Sequence, residues 1–344
     1  MTENKISIGI IGMGKMGVLH SAILNSLPNC KVIAFCDNSS LVKHVFSQLK
    51  YKAVFYNDYL KLIKDQNVDA VLITTPVFLH YSMVKACILN KKHFFVEKPL
   101  TSNFEQARKI YEMCTKEKLV NMVGYANSYR PTFAKLQEIV DSHRYGKVKF
   151  FEAFSRKSSV RERVQNWRFD KTKSGGGVLM GFGSHMISTL YSLFGKVNSV
   201  TAKSKSYFND NVDDNVYANF VFHNGIEGYF ETDWTKGNFR KEDNKLILHF
   251  EDSILTADNY KIIIKNKNEE IIKHYQIHDL WTGAHIDLGG VHYANQDNDF
   301  IKSIQDRKFT IKNNCESAFN IQSIIESTYE SCSKEGKEVF VNYV

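Results

Sequence analysis

The stretch Ile6-Ser7-Ile8-Gly9-Ile10-Ile11-Gly12-Met13-Gly14-Lys15-Met16-Gly17 decides how the chain is read. The first six residues are apolar but too few for a helix, and they read as a buried parallel strand. Glycines follow at the spacing G-x-G-x-x-G, and Met16, Leu19, Ile23 and Leu27 then recur at helical intervals until Pro28-Asn29 ends the pattern. A strand, a glycine turn and a helix in direct succession leave backbone N–H groups and a helix N-terminus open to a pyrophosphate. Gly12 is read as the tight turn, Gly14 as the point of close approach and Gly17 as the helix–strand contact, with Lys15 and Met16 completing the loop.

Asp37 stands 20 residues after Gly17, at the end of a second strand, KVIAFC. A carboxylate there can accept hydrogen bonds from the ribose hydroxyls and repels a 2′-phosphate. The next residues are Asn38, Ser39 and Ser40, with no arginine, so the pattern favours NAD over NADP. Further strands are expected at 53–55, 70–73, 93–96 and 120–123, and helices at 15–26, 40–50, 59–64, 80–89 and 104–116. Their alternation predicts an α/β Rossmann domain, a doubly wound parallel sheet, over residues 1–124.

The pattern changes after about residue 125. A helix at 132–142 precedes the alternating KVKFFEAFS, Gly175-Gly176-Gly177 opens a helix that runs to Phe194, and 199–272 reads mainly as strands joined by turns. A last helix is expected at 317–334. Residues 125–344 are therefore expected to form an α+β domain with a large, mostly antiparallel open sheet that binds substrate and makes a homodimer or homotetramer, because an open sheet leaves a broad apolar face.

Composition narrows the classes of function. The 344 residues, 43% hydrophobic and 24% charged, describe an ordered protein long enough for two cores. The net charge of +8 is spread along the chain and forms no basic arm, so nucleic acid is not an expected partner. Cys30, Cys36, Cys87, Cys114, Cys315 and Cys332 show no metal-ligand spacing and no C-x-x-C. With no apolar run of spanning length and a start that passes directly into a strand, they point to a cytoplasmic chain without metal or membrane partner.

Other motifs carry a more specific signal. FFVEKPL ends a strand with Glu97-Lys98-Pro99, Thr75-Pro76 is followed by His80, and Gly124-Tyr125 leads to Tyr129-Arg130-Pro131. Trp167-Arg168, Ser174-Gly175-Gly176-Gly177, Gly183 and His185 follow in order, then Asp213-Asp214 and Asp299-Phe300. Together these resemble the Gfo/Idh/MocA oxidoreductases, named for glucose-fructose oxidoreductase and inositol dehydrogenase, over nearly the whole chain. The resemblance implies that Lys98 and His185 are catalytic and that Thr75, Pro76, His80, Glu97 and Lys98 border the cofactor. Where many relatives place an aspartate four residues before the histidine, this chain has Gly181.

Hydride transfer from an alcohol carbon needs a group that takes the hydroxyl proton and a group that steadies the reacting oxygen. Lys98, at a strand end where a nicotinamide is expected, suits the second role, and His185, which titrates near neutrality, suits the first. Trp167 and Arg168 are expected to border the substrate, with Tyr125, Asn127 and Arg130 as weaker candidates. Asp287 is a candidate to replace the missing aspartate, and His285 and His292 are candidates for the same cleft. The expected function is NAD(P)-dependent oxidation or reduction at one hydroxyl-bearing carbon of a sugar, inositol or sugar derivative. The alternatives are a glycosidase or isomerase reaction on held NAD, and a catalytically silent protein that binds NAD or sugar.

Overall fold

The computed structural model describes residues 5–48, 52–160, 162, 166–208, 210–239, 241–275 and 290–343. The chain divides into two compact units, residues 1–124 with 278–318 and residues 125–277 with 319–344.

The first unit alternates strand and helix: β1 (Ile6–Ile11), α1 (Lys15–Ser26), β2 (Cys30–Cys36), α2 (Ser40–Gln48), β3 (Val54–Tyr56), α3 (Tyr59–Lys64), β4 (Ala70–Ile73), α4 (His80–Leu89), β5 (His93–Val96), α5 (Phe104–Thr115) and β6 (Asn121–Val123). The sheet order is β3-β2-β1-β4-β5-β6 with every neighbouring pair parallel. Ile8, Ile10, Val32, Val71, Leu72, Phe94 and Phe95 are fully enclosed, as expected of strands covered on both faces. Parallel pairing puts the carboxyl ends of β1, β4 and β5 on one edge. The glycine loop leaves that edge from β1, and Glu97-Lys98 leaves it from β5.

The second unit begins with α6 (Pro131–Asp141), β7 (Phe150–Arg156), α7 (Lys171–Ser174) and α8 (Ser184–Phe194). Seven strands follow: β8 (Val197–Lys205), β9 (Asn215–Phe222), β10 (Glu227–Asp233), β11 (Asp243–His249), β12 (Ser253–Ala257), β13 (Lys261–Asn266) and β14 (Glu270–His274). After α9 (Val291–Gln305), the chain ends with α10 (Cys315–Ser333) and β15 (Val339–Phe340). The second sheet runs β14-β13-β12-β11-β7-β10-β9-β8-β15 and is antiparallel except for β7 beside β10. Burial alternates along its strands, as in β11, where Asn244, Leu246 and Leu248 are buried and their neighbours are not. One face thus holds the core, while Phe150, Glu152, Phe154 and Arg156 of β7 lie on the other.

The expected architecture is what the chain adopts. The division of the chain differs from expectation, since the second unit does not run unbroken from 125 to 344. Residues 290–318 group with the first unit because α9 carries buried Asp297, which binds His20 on α1. α9 had not been expected as a helix. Its apolar positions are interrupted by His292, Gln296, Asp297 and Ser303, all buried, and this polar content masks the helical period.

Candidate functional site

The glycine loop is tightly packed except at one point. Gly12 has φ +93°, and a Cβ there would lie 3.0 Å from the Thr75 amide nitrogen. A Cβ on Gly17 would lie 2.0 Å from the Gly12 carbonyl oxygen, so only glycine lets α1 approach β1 this closely. At Gly14, by contrast, no protein atom lies within 4 Å of the built Cβ, and its φ of −73° is one any residue adopts. Nothing in the protein requires glycine at this position. Gly14 is also the N-cap of α1, makes no side-chain cap, and no acidic residue occupies the first turn. The first helical bond runs from Val18 N–H to the Gly14 carbonyl, so the N–H groups of Lys15, Met16 and Gly17 have no helical carbonyl to meet. An exposed helix N-terminus with open space over it fits an anion such as a dinucleotide pyrophosphate.

Asp37 directly follows β2. Its Oδ2 accepts from Met13 N–H at 2.7 Å and its Oδ1 from Ser39 N–H at 2.7 Å, so the carboxylate clamps the loop. A carboxylate has about four lone-pair sites, which leaves acceptor capacity for ribose hydroxyls. Thr74, which the sequence had not singled out, fixes the other side: its hydroxyl donates to the Gly12 carbonyl at 2.6 Å. Lys15 is exposed and Met16 half-buried beside this loop.

The β4 and β5 ends are built differently. Thr75 and Pro76 are half-buried and lead into a short 3-10 turn, Val77–Leu79. His80 is buried, with Nδ1 2.9 Å from the Pro99 carbonyl and Nε2 2.9 Å from that of Thr75. Burial lowers its pKa while both carbonyls favour the protonated ring; the neutral ring donates to only one of them. His80 therefore ties the Lys98-Pro99 segment to the end of β4. Glu97 is 9% exposed, and its Oε2 accepts from the Lys98 N–H at 3.2 Å. Lys98 itself is half-buried at the carboxyl edge.

Glu97 leads to a group the motifs did not predict. Its Oε1 lies 3.1 Å from Nε2 of His20, whose Nδ1 lies 2.9 Å from both carboxylate oxygens of Asp297. His20 and Asp297 are enclosed, at 0% and 1% exposure. The signal was present as a lone histidine on the apolar face of α1, among Met16, Ile23, Leu24 and Leu27, a setting in which a polar residue must have buried partners.

In the second unit, Leu179–Gly183 forms a π turn that enters α8 at Ser184, and His185 sits half-buried in the first turn of that helix. The Tyr125 ring, fully buried, meets the His185 ring edge-on at 6.2 Å. Burial pushes the Tyr125 hydroxyl pKa up, which keeps it protonated. Asn127 is buried two residues later, and its Oδ1 accepts from Arg130 Nε at 2.9 Å, so Arg130 braces this segment and also pairs with Glu242 at 3.7 Å. Gly181 is exposed, and a Cβ there would meet only Trp234, at 3.9 Å. A Cβ at 181 is thus in ordinary van der Waals contact. Trp167 and Arg168 lie on a short turn capped by Asn166, with the guanidinium 5.3 Å above the Trp167 ring. Phe169 of that turn meets Trp234 at 5.6 Å, which places it on the Gly181 side of α8.

In the second unit Asp213 holds the segment that leads to His185, and Asp214 holds Trp234. Asp213 accepts from the N–H groups of Gly177 and Leu179 at 2.7 and 2.8 Å and from the Tyr329 hydroxyl at 2.8 Å. Asp214 accepts from the Trp234 indole. His292 is buried on α9 beside Tyr293, and His285 and Asp287 lie outside the described residues. Among the described residues there is no cluster of three His, Cys, Asp or Glu side chains able to hold a metal, and no helix is long and apolar enough to cross a membrane.

Residues 6–125 match the family described as oxidoreductase family, NAD-binding Rossmann fold, and residues 133–256 match the GFO/IDH/MocA C-terminal domain. Among curated proteins, the chain is 28% identical over 201 residues to an uncharacterized oxidoreductase of Schizosaccharomyces pombe, covering 58% of this chain and 54% of that protein. It is 31% identical over 150 residues to the myo-inositol 2-dehydrogenase of Thermotoga maritima, covering 43% and 45%. The chain thus spans about half the length of the curated relatives it matches. Among solved structures, levoglucosan dehydrogenase in complex with NADH and L-sorbose superposes with a TM-score of 0.89 over 99% of this chain and 100% of that one, at 20% identity. That likeness shows the fold.

Proposed function

Because the chain belongs to the oxidoreductase family with an NAD-binding Rossmann fold and a Gfo/Idh/MocA C-terminal domain, we propose that it oxidises, or in reverse reduces, one hydroxyl-bearing carbon of a sugar or cyclitol with NAD. The single observation that carries the reading is the Gly14 gap, a space the protein leaves open at a helix N-terminus, on the same sheet edge from which Lys98 emerges. The inositol and levoglucosan dehydrogenases among its relatives support the substrate class.

The backbone of Gly14, Lys15, Met16 and Gly17 holds the pyrophosphate, and Asp37 receives the adenosine ribose hydroxyls and repels a 2′-phosphate. Bound NAD supplies a hydride acceptor. Lys98 donates a hydrogen bond to the substrate oxygen and stabilises its developing negative charge. His185 takes the hydroxyl proton, and the Tyr125 ring against it fixes the plane of the imidazole. Trp167 and Arg168 border the sugar.

A homodimer or homotetramer through the outward face of the second sheet completes this reading. Phe150 and Ile254 are 37% and 43% exposed there, and Phe154 packs against Tyr229 and Tyr229 against Tyr217. Four buried free cysteines, Cys30, Cys36, Cys87 and Cys315, support a reducing, cytoplasmic setting. The test is a panel of cyclitols and sugars mixed with NAD and the protein. Reduced nicotinamide is expected with at least one member; its absence throughout, with NAD bound, overturns the proposal.

A further inference from the structure

The buried group Asp297–His20–Glu97 joins three parts of the first unit: α9, the helix that opens at the glycine loop, and the end of β5. Both ring nitrogens of His20 face carboxylate oxygens, at 2.9 Å on one side and 3.1 Å on the other. A neutral imidazole has one N–H, so with both carboxylates ionised this geometry is satisfied by the imidazolium, with a proton on each nitrogen. Burial opposes that charge, but the charges and hydrogen bonds of Asp297 and Glu97 outweigh it and push the ring up to about 10. Burial and the Glu97 charge raise Asp297, and His20 offsets this only in part. With carboxylates on both sides of the ring, the proton belongs on the histidine. Among the described residues, the groups facing the triad include the rings of Phe95 and Tyr293, the Cys30 thiol near Asp297 and the His80 ring near Glu97.

Such a group is a poor device for stability. A buried ion pair is weakly stabilising at best, and an apolar residue would suit the face of α1 better. Its geometry does something an apolar contact cannot. With Oε1 of Glu97 engaged by His20, Oε2 is directed at the amide of Lys98 and accepts its N–H. A Cβ on Gly124 would lie 3.0 Å from that carboxylate, so the far side is closed as well.

We propose that Asp297 and His20 are positioning residues that fix the Glu97 carboxylate, and through it the backbone from which Lys98 reaches the reacting oxygen, in register with the cofactor helix α1. The inference rests on the reading of Lys98 given above. Neither residue touches substrate or cofactor; both act through Glu97.

The test does not need a known substrate. The full-length protein is treated with an amine-acetylating reagent, with and without NAD, and acetylation of the Lys98 peptide is followed by mass spectrometry. In the unaltered protein NAD is expected to slow Lys98 acetylation about tenfold or more, and equal rates would overturn the dehydrogenase reading itself. In Asp297→Asn and His20→Gln, the protection is expected to fall to twofold or less, since a displacement of the order of 1 Å at such a group has about hundredfold consequences. A purely structural role would lower the melting temperature and leave the protection ratio intact, and that result overturns the proposal. Should these variants fail to fold, the 15N shifts of His20 in the unaltered protein decide: imidazolium shifts at both nitrogens at pH 8 support the triad, and a neutral ring overturns it.

Discussion

Replacing Gly14 by alanine separates a glycine kept for a ligand from one kept for the fold. The added methyl meets no protein atom within 4 Å, and φ of −73° is unstrained for alanine. Loss of chain entropy in the unfolded state favours Gly14→Ala by about 0.4–1 kcal/mol. Alanine at an N-cap costs a comparable amount, under about 1 kcal/mol relative to glycine. The two offset each other, and the melting temperature should stay close to that of the unaltered protein. NAD affinity should not. The methyl projects about 1.5 Å from Cα into the space assigned to the pyrophosphate, and losing one or two charge-assisted hydrogen bonds there costs about 1.5–3 kcal/mol each. That corresponds to a Kd about tenfold weaker at the least and about ten-thousandfold weaker if two bonds are lost in full. Gly17→Ala is the control: its methyl would sit 2.0 Å from the Gly12 carbonyl oxygen, and it should cost several kcal/mol of stability before any ligand is added. Calorimetric titration with NAD and a melt without it are the two measurements. Gly14→Ala that binds NAD as tightly as the unaltered protein would refute the assignment of the gap.

The other expectations follow from the same geometry. Asp37→Ser should weaken NAD about tenfold by removing charge-assisted acceptors while improving NADP, and titration with both cofactors measures this. The His20 pKa is raised above its unfolded value, so its contribution to stability is full below about pH 6.5 and is lost as pH rises through about 10, with a slope of about 1.4 kcal/mol per pH unit from this one proton. Melts from pH 6 to 10 should show this decline in the unaltered protein and a flatter profile in His20→Gln. His185→Ala should lower kcat by about 10²–10⁴-fold, as steady-state kinetics would measure. Phe154→Glu should shift the protein toward monomer in light scattering, by placing an unpaired carboxylate on the outward sheet face.

The Rossmann unit was legible because its strands are buried on both faces and its helices keep a clear period, so β1, α1, β4 and β5 fall where the residues place them. The β3 boundaries moved by one residue, where the chain is partly exposed and local propensity is weak, and the expected end of α2 at 49–50 lies outside the described residues. Asp37 and the glycines were legible from spacing alone. Lys98 and His185 were assigned catalytic roles only through the E-K-P and G-x-H motifs, since neither a strand-end lysine nor a helical histidine announces chemistry by itself. The roles of the remaining residues were less legible. His80 had been expected to border the cofactor, yet both its ring nitrogens are committed to backbone carbonyls. The His20–Asp297 contact spans 277 residues of sequence, and no local pattern encodes a pairing that distant. The same separation explains why the return of α9 to the first unit was missed.

The most direct test follows a label. Ring-deuterated myo-inositol and ring-deuterated glucose are each mixed with NAD and the protein, and the nicotinamide is analysed by mass spectrometry for transferred deuterium. Transfer is expected from at least one of them, reduced about 10²–10³-fold in Lys98→Ala, as for the loss of one hydrogen bond to the reacting oxygen. No transfer from either compound, or equal transfer by Lys98→Ala, would contradict the dehydrogenase role of Lys98.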